Sequence, residues 1–230
     1  MLPDSPWRFL LFFGEPNVKW CEAQFASWVT EPANTWSNLA FIFAGLVMLP
    51  FAKGERSLWL RLFGPSMLFL GVWSGLYHAS FTFFFQVLDF LGMFQVLLCP
   101  LFIALERLGR PVARPLLTWL VGSLGLTALM VVMTLLHLPG QLLVVLMALG
   151  IVGGEFAIWR QGKPANRPFF LAALSMLIVA ETFSALDVTR NFCHPDDHLV
   201  QGHAIHHVMV SLCFVFTFFY CRQMLKLARP

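Results

Sequence analysis

Seven stretches of the chain are apolar over enough residues to cross a bilayer, and each is bounded by polar or charged positions. They cover residues 34–52, 58–78, 86–105, 115–136, 142–159, 169–186 and 202–225. The clearest, 115–136, holds no charged residue, and a spanning helix needs about 20 consecutive, mainly apolar residues. Backbone polar groups in a bilayer must be satisfied within the segment, so each run predicts an α-helix. The pattern predicts an all-α membrane protein: a seven-helix transmembrane bundle forming one domain over residues 1–230, with residues 1–33 as an outer N-terminal segment. In that segment Asp4, Arg8, Glu15, Lys19 and Glu22 interrupt short apolar pieces. No signal-type apolar core stands clear there, so the first spanning helix is expected to direct insertion.

Composition agrees with the pattern. Of 230 residues, 58% are hydrophobic and only 12% charged, with a mean hydropathy of +0.74. Soluble domains carry about 25% charged residues. A net charge of +3 is too small to suggest a nucleic-acid partner, and nothing in the chain calls for an obligate protein partner.

Lysines and arginines set an orientation. Lys53, Arg56 and Arg61 fall between the first two runs. Arg107, Arg110 and Arg114 follow the third, Arg160, Lys163 and Arg167 the fifth, and Arg222, Lys226 and Arg229 mark the end of the seventh. The other connections hold almost none, Arg190 being the exception. The positive-inside rule then predicts the N-terminus out and the C-terminus in.

This topology brings costly residues to one depth. His78 ends the second run, which travels outward. His203 and His207 open the seventh, which travels inward, and Asp89 begins the third. Ionisable groups are expensive in a bilayer and usually functional there. His203 and His207, four apart, share a helical face, as do Ser74 and His78. Three imidazoles suit a catalytic Zn²⁺ with its fourth position open to water, whose pKa the ion lowers to about 7. Asp89 suits a general base or a ligand-orienting group, and Ser74 suits an oxyanion donor. Structural histidines, bis-histidine haem ligation across the second and seventh runs, and a Ser74 nucleophile are the competing readings. A non-catalytic, metal-stabilised receptor or sensor is the competing class. His206 falls off the shared face and reads as structural.

Other polar positions admit two readings each. Glu22 and Glu31 either bind a hard cation such as Ca²⁺ or form a solvated, capped helix start, with Thr30 or Glu31 capping and Pro32 in the first turn. Asn34 and Asn38 share a face and are expected to hydrogen-bond other helices. The segment 187–198, with Asp187, Arg190, His194, Asp196, Asp197 and His198, reads as a polar loop that lids the site, a second metal being the alternative. Glu181, in the outer half of the sixth run, either lines the cavity or pairs with a partner such as Arg190. Of five cysteines, Cys99, Cys213 and Cys221 fall within apolar runs and are expected simply to pack. Only Cys21 and Cys193 fall in outer segments, where disulfides are permitted, so they are predicted to pair.

Several short motifs together resemble the alkaline ceramidase family, part of a superfamily of seven-helix membrane hydrolases that includes the adiponectin-receptor-like proteins. They are Trp20-Cys21-Glu22, Glu31 to Asn38, Ser74-x-x-x-His78, Gln86-Val87-Leu88-Asp89, Phe192-Cys193 and His203-Ala204-x-x-His207. The resemblance implies an intramembrane zinc on His78, His203 and His207, with Ser74 and Asp89 as catalytic residues. It implies a membrane lipid substrate, hydrolysed at an amide such as that of ceramide to a long-chain base and a fatty acid; the charge topology, independently of the resemblance, puts the site in the non-cytoplasmic half of the bilayer. The resemblance also implies a calcium site around Trp20, Glu22, Gln24 and Glu31. Here the chain departs: Lys19 stands where an acid is expected and Gln24 where an asparagine is. A lysine beside two glutamates suggests that its ammonium neutralises them in place of calcium. The acid ahead of Phe-Cys is displaced, so Asp187 is assigned no catalytic role.

Overall fold

The computed structural model describes residues 4–163 and 167–227. Arg229, counted above among the inner charges, lies outside the described residues. After a short 3-10 helix at Arg8–Phe13, the chain forms α1 (Pro32–Ser37), α2 (Leu39–Ala52), α3 (Leu58–Ser80), α4 (Phe83–Arg107), α5 (Pro115–Leu135), α6 (Gln141–Arg160), α7 (Arg167–Val188) and α8 (Gly202–Leu227). α1 and α2 together make the first long apolar rod, Pro32–Ala52, interrupted at Asn38.

Six of these rods are long and apolar enough to cross a membrane: Pro32–Ala52, α4, α5, α6, α7 and α8. α3 is not among the six, although its 23 residues give it the length. Arg61, Pro65, Ser66, Ser74 and His78 dilute its apolar character. The chain is an integral, multi-pass membrane protein.

α4 lies at the centre of the bundle, in contact with α3, α5, α6 and α8. Its apolar stretch is 72% buried, against 22% for α5 and 17% for α6 and α7. The peripheral helices keep large side chains such as Leu117, Val121, Leu124 and Leu146 on the outside, as a hydrocarbon solvent allows. α3 sits between α2 and α4, and α8 packs on α7 and α2. α2 and α3 approach closely because Gly45 faces the carbonyl oxygen of Gly64, which a Cβ at Gly45 would meet at 2.9 Å. Small residues at such crossings let apolar helices gain dispersion contacts in lipid.

The two ends of the bundle differ in chemistry. At the end holding the C-termini of α4, α6 and α8, the Arg107 guanidinium lies 2.7 Å from Glu155, both buried, and the Tyr220 hydroxyl also donates to Glu155. Trp59 donates to Glu106 at 2.6 Å, and Arg222 meets Glu55 at 2.9 Å. The opposite end holds the C-terminus of α3 and the N-termini of α4 and α8. The N-terminal segment crosses it. Asn17 exchanges hydrogen bonds with Gln86, Ala23 donates its N–H to Pro195, and Cys21 is disulfide-bonded to Cys193.

Candidate active site

α3 delivers His78 in its last turn, and α8 delivers His203 and His207 from its first two turns. All three are buried, and one ring nitrogen from each lies within 4.8 Å of the others. The closest pair, Nε2 of His203 and Nε2 of His78, is 3.2 Å apart. Two nitrogens held about 2.0–2.1 Å from one tetrahedral ion stand roughly 3.3 Å apart, so this spacing fits a shared cation.

The neighbours fix which nitrogens face the centre. Glu31, fully buried, places Oε2 2.8 Å from His78 Nδ1. A carboxylate can only accept, so Nδ1 carries the proton and Nε2 presents its lone pair. Ser37 gives its one hydroxyl proton to the Asn34 carbonyl at 2.9 Å. Its oxygen, 2.8 Å from His207 Nδ1, therefore accepts from that ring, and Nε2 of His207 is again left as the lone-pair atom. Such outer partners orient metal-binding imidazoles and set their tautomers. His203 is held differently. Its backbone N–H donates to Asp187 Oδ2 at 3.1 Å, and the Trp20 indole stacks on its ring with centroids 3.4 Å apart. Its Nδ1 is buried with no hydrogen-bond partner among the described residues. The donor set thus fits one metal ion on three neutral imidazoles, and the described residues contain no second histidine, cysteine or acid cluster of this kind.

Asp89, in the second turn of α4, is buried close to His78, and Ser74 of α3 lies within reach of its carboxylate. Ser74 and His78 are one turn apart on α3, so both face α4 and α8 together.

The acidic N-terminal positions have other partners. Glu22 accepts the backbone N–H of Ala33 at 2.8 Å and of Asn34 at 2.9 Å, and its Oε1 lies 3.1 Å from His198 Nδ1. Its carboxylate supplies the capping acceptors of α1 from ten residues before Pro32; Glu31 holds the N-cap position, but neither Thr30 nor Glu31 caps the helix with its side chain. Burial raises the Glu22 carboxyl above its ordinary range, and the two N–H groups and His198 offset part of that rise. Gln24 donates to Glu31 at 3.4 Å. Trp20 gives its carbonyl to Arg190 at 2.9 Å. Lys19 is exposed and makes no ion pair with either glutamate; its carbonyl also accepts from Arg190. Asn34 and Asn38 donate to Glu31 and to the Asn34 carbonyl, so both bond locally rather than to other helices.

A family model described as Ceramidase matches residues 14–229. The chain belongs to the ceramidase family. No curated protein matches it. As a ceramidase-family protein it is a hydrolase of carbon–nitrogen amide bonds, acting on a membrane lipid. The match spans all of the residues that build the histidine cluster and its surroundings.

Two residues of this ceramidase site were not drawn from the sequence. Asp187, fully buried, accepts from the Cys21 and His203 N–H groups at 2.8 and 3.1 Å, and thereby joins the N-terminal segment to the start of α8. Gly202 makes room for it: a Cβ there would meet Asp187 Cβ at 2.9 Å. An acid at the end of an apolar run, fifteen residues ahead of a glycine-histidine pair, was the available signal. Ser37 had none, since a serine in an apolar helix commonly bonds its own backbone.

Proposed function

We propose that this ceramidase-family protein is a zinc-dependent intramembrane amidohydrolase. It cleaves the amide of ceramide or a similar N-acyl lipid to a long-chain base and a fatty acid. The observation that carries this reading is the convergence of three buried imidazoles, two of them with their outer nitrogens held by Glu31 and Ser37, and with no fourth histidine, cysteine or acid in the cluster among the described residues. A purely structural zinc is usually closed by four ligands.

Zinc bound by His78, His203 and His207 would supply a Lewis acid and an acidified water. The chain's own residues do the rest. Asp89 takes the proton of the attacking water on its carboxylate and returns it to the leaving nitrogen. Ser74 donates its hydroxyl to the carbonyl oxygen as that oxygen gains charge. Trp20 covers one side of His203, so substrate approaches the cluster from within the bundle. The alternation of basic connections supports seven spans with α3 included, the N-terminus outside, and a site in the non-cytoplasmic half of the bilayer.

Calcium has no part in this reading. The carboxylates of Glu22 and Glu31 already take donors from Ala33, Asn34, His198, Gln24 and His78. The Trp20 carbonyl is committed to Arg190.

The test is elemental analysis of the purified protein together with hydrolysis of N-acyl sphingoid lipids. One zinc per chain and release of fatty acid are expected, with activity lost on zinc chelation and unchanged by a calcium-selective chelator. Stoichiometric metal without turnover on any lipid amide would point instead to a metal-stabilised receptor.

A further inference from the structure

Glu181 is the one charged residue in α7 between Arg167 and Asp187. Its side chain is 57% exposed, on a helix otherwise apolar enough to span a membrane. A carboxylate at such depth is costly and is kept where it meets polar partners. The chain supplies few. Among the described residues it accepts no hydrogen bond, and the nearest nitrogen of a possible partner, His206 Nδ1, stands 3.8 Å away. Arg190, an expected partner, is committed to the carbonyls of Lys19 and Trp20.

Its position is tied to the histidine cluster. His206 lies 3.2 Å from the carbonyl of Ala180, the residue before Glu181. The His206 ring runs parallel to His203, with centroids 5.3 Å apart and planes 11° apart. Glu181 therefore stands at the level of the three metal-binding imidazoles. Its direction follows from helical register. Phe170, eleven residues earlier and so three turns away on the same face, packs against Trp159 of α6 at 4.9 Å and Tyr220 of α8 at 5.7 Å. The buried stripe of α7 runs through Phe170, Ala173, Ala180 and Asp187; Glu181 falls at its edge, on the side where Phe170 meets α6, and is left uncovered at that level.

From this geometry we infer that Glu181 is a specificity residue that accepts hydrogen bonds from hydroxyl groups on the amine half of the lipid substrate. It thereby selects amides of hydroxylated long-chain bases over amides of plain long-chain amines. The inference rests on the amidohydrolase reading for its reaction, but the binding preference it assigns to Glu181 stands apart from turnover. A carboxylate that accepts no hydrogen bond from the described residues, at the level of the histidine cluster and inside an apolar helix, matches a ligand that is apolar along its chains and rich in hydroxyl donors only next to the amide. Charge-assisted hydrogen bonds of this kind discriminate by about 10–100-fold.

The experiment compares two lipids that differ only in the base, an N-acyl sphinganine and an N-acyl alkylamine of equal chain lengths, with full-length wild type and Glu181→Gln. Wild type is expected to favour the hydroxylated lipid by about 10–100-fold in kcat/KM. Glu181→Gln is expected to lose most of that preference, mainly through KM, with the alkylamide rate, zinc content and Tm unchanged. Equal losses on both lipids, or loss of zinc, would assign Glu181 to support of the metal site and overturn the inference; so would a preference that survives the substitution. If the zinc-loaded wild type hydrolyses neither lipid, the amidohydrolase reading fails. Equilibrium binding of the same two lipids to wild type and Glu181→Gln then decides Glu181 by the same criterion.

Discussion

Glu31 and His78 form a solvent-free pair, Oε2 to Nδ1 at 2.8 Å, in which the carboxylate dictates the imidazole tautomer. Glu31→Gln leaves the shape but replaces a full negative charge with a neutral amide. Metal affinity is expected to fall by about 10–100-fold, measured by competition against a chelator of known strength. An unchanged affinity would mean that Glu31 serves helix packing alone.

Substitutions at Asp89 and His203 test chemistry and metal binding separately. Asp89→Asn is expected to keep zinc near one per chain and to lower kcat by about 10²–10⁴-fold, the usual contribution of a general acid–base group. His203→Ala is expected to lose the metal itself. Elemental analysis and single-turnover hydrolysis read the two effects independently. Near-normal turnover by Asp89→Asn would remove Asp89 from the mechanism.

The Cys21–Cys193 disulfide closes a sequence separation of 172 residues and sits beside the Asp187 bond to the Cys21 N–H. Cys193→Ser is expected to lower stability by about 2–4 kcal/mol, read as a shift in thermal unfolding in detergent. Mass spectrometry of alkylated, unreduced protein checks the bond directly, because complete labelling of both thiols would show that it does not form.

Asp197 gives the loop ahead of α8 a pH dependence. Its Oδ1 accepts the N–H groups of Leu199 and Val200 at 2.9 and 3.0 Å, and these bonds hold its carboxyl below the ordinary value of 3.8. The folded form therefore binds the proton less readily than the unfolded one. The stabilisation is complete above pH 3.8 and is lost as pH falls through the lower folded value. Amide exchange at Leu199 and Val200 should accelerate in that acidic window, while Asp197→Asn should flatten the profile. Equal acceleration in wild type and variant would detach the effect from Asp197.

The helices were legible because apolar runs bounded by arginine and lysine leave little freedom in lipid. Helix bounds differ from the expected spans by three residues or fewer, as in α4, which begins at Phe83 rather than 86. α3 falls short on hydropathy because Ser74 and His78, the residues that announce chemistry, also dilute the apolar signal that announces a span. His203 and His207 were readable from a four-residue spacing, a local property. The contacts around them were not. Glu22 capping α1, Ser37 under His207 and Asp187 between Cys21 and His203 all depend on distant segments meeting, which no local pattern encodes. Lys19 shows the same limit: proximity to two glutamates in sequence suggests a charge pair, but the backbone turns its side chain to solvent and offers only its carbonyl, to Arg190.

The histidine cluster is shared between the second and the last of the long rods, and its residues His78 and His203 are 125 positions apart. During synthesis His78, with Glu31 beneath it, reaches the bilayer well before either of its partners exists. On the zinc reading the ion is then not captured stepwise as the chain emerges. Loading waits for α8 to arrive, and a protein truncated before Gly202 would keep most of its helices while retaining one of its three ligands. On that reading, assembly of the bundle and acquisition of activity become a single terminal event, with the last helix acting as the quality check on all those before it.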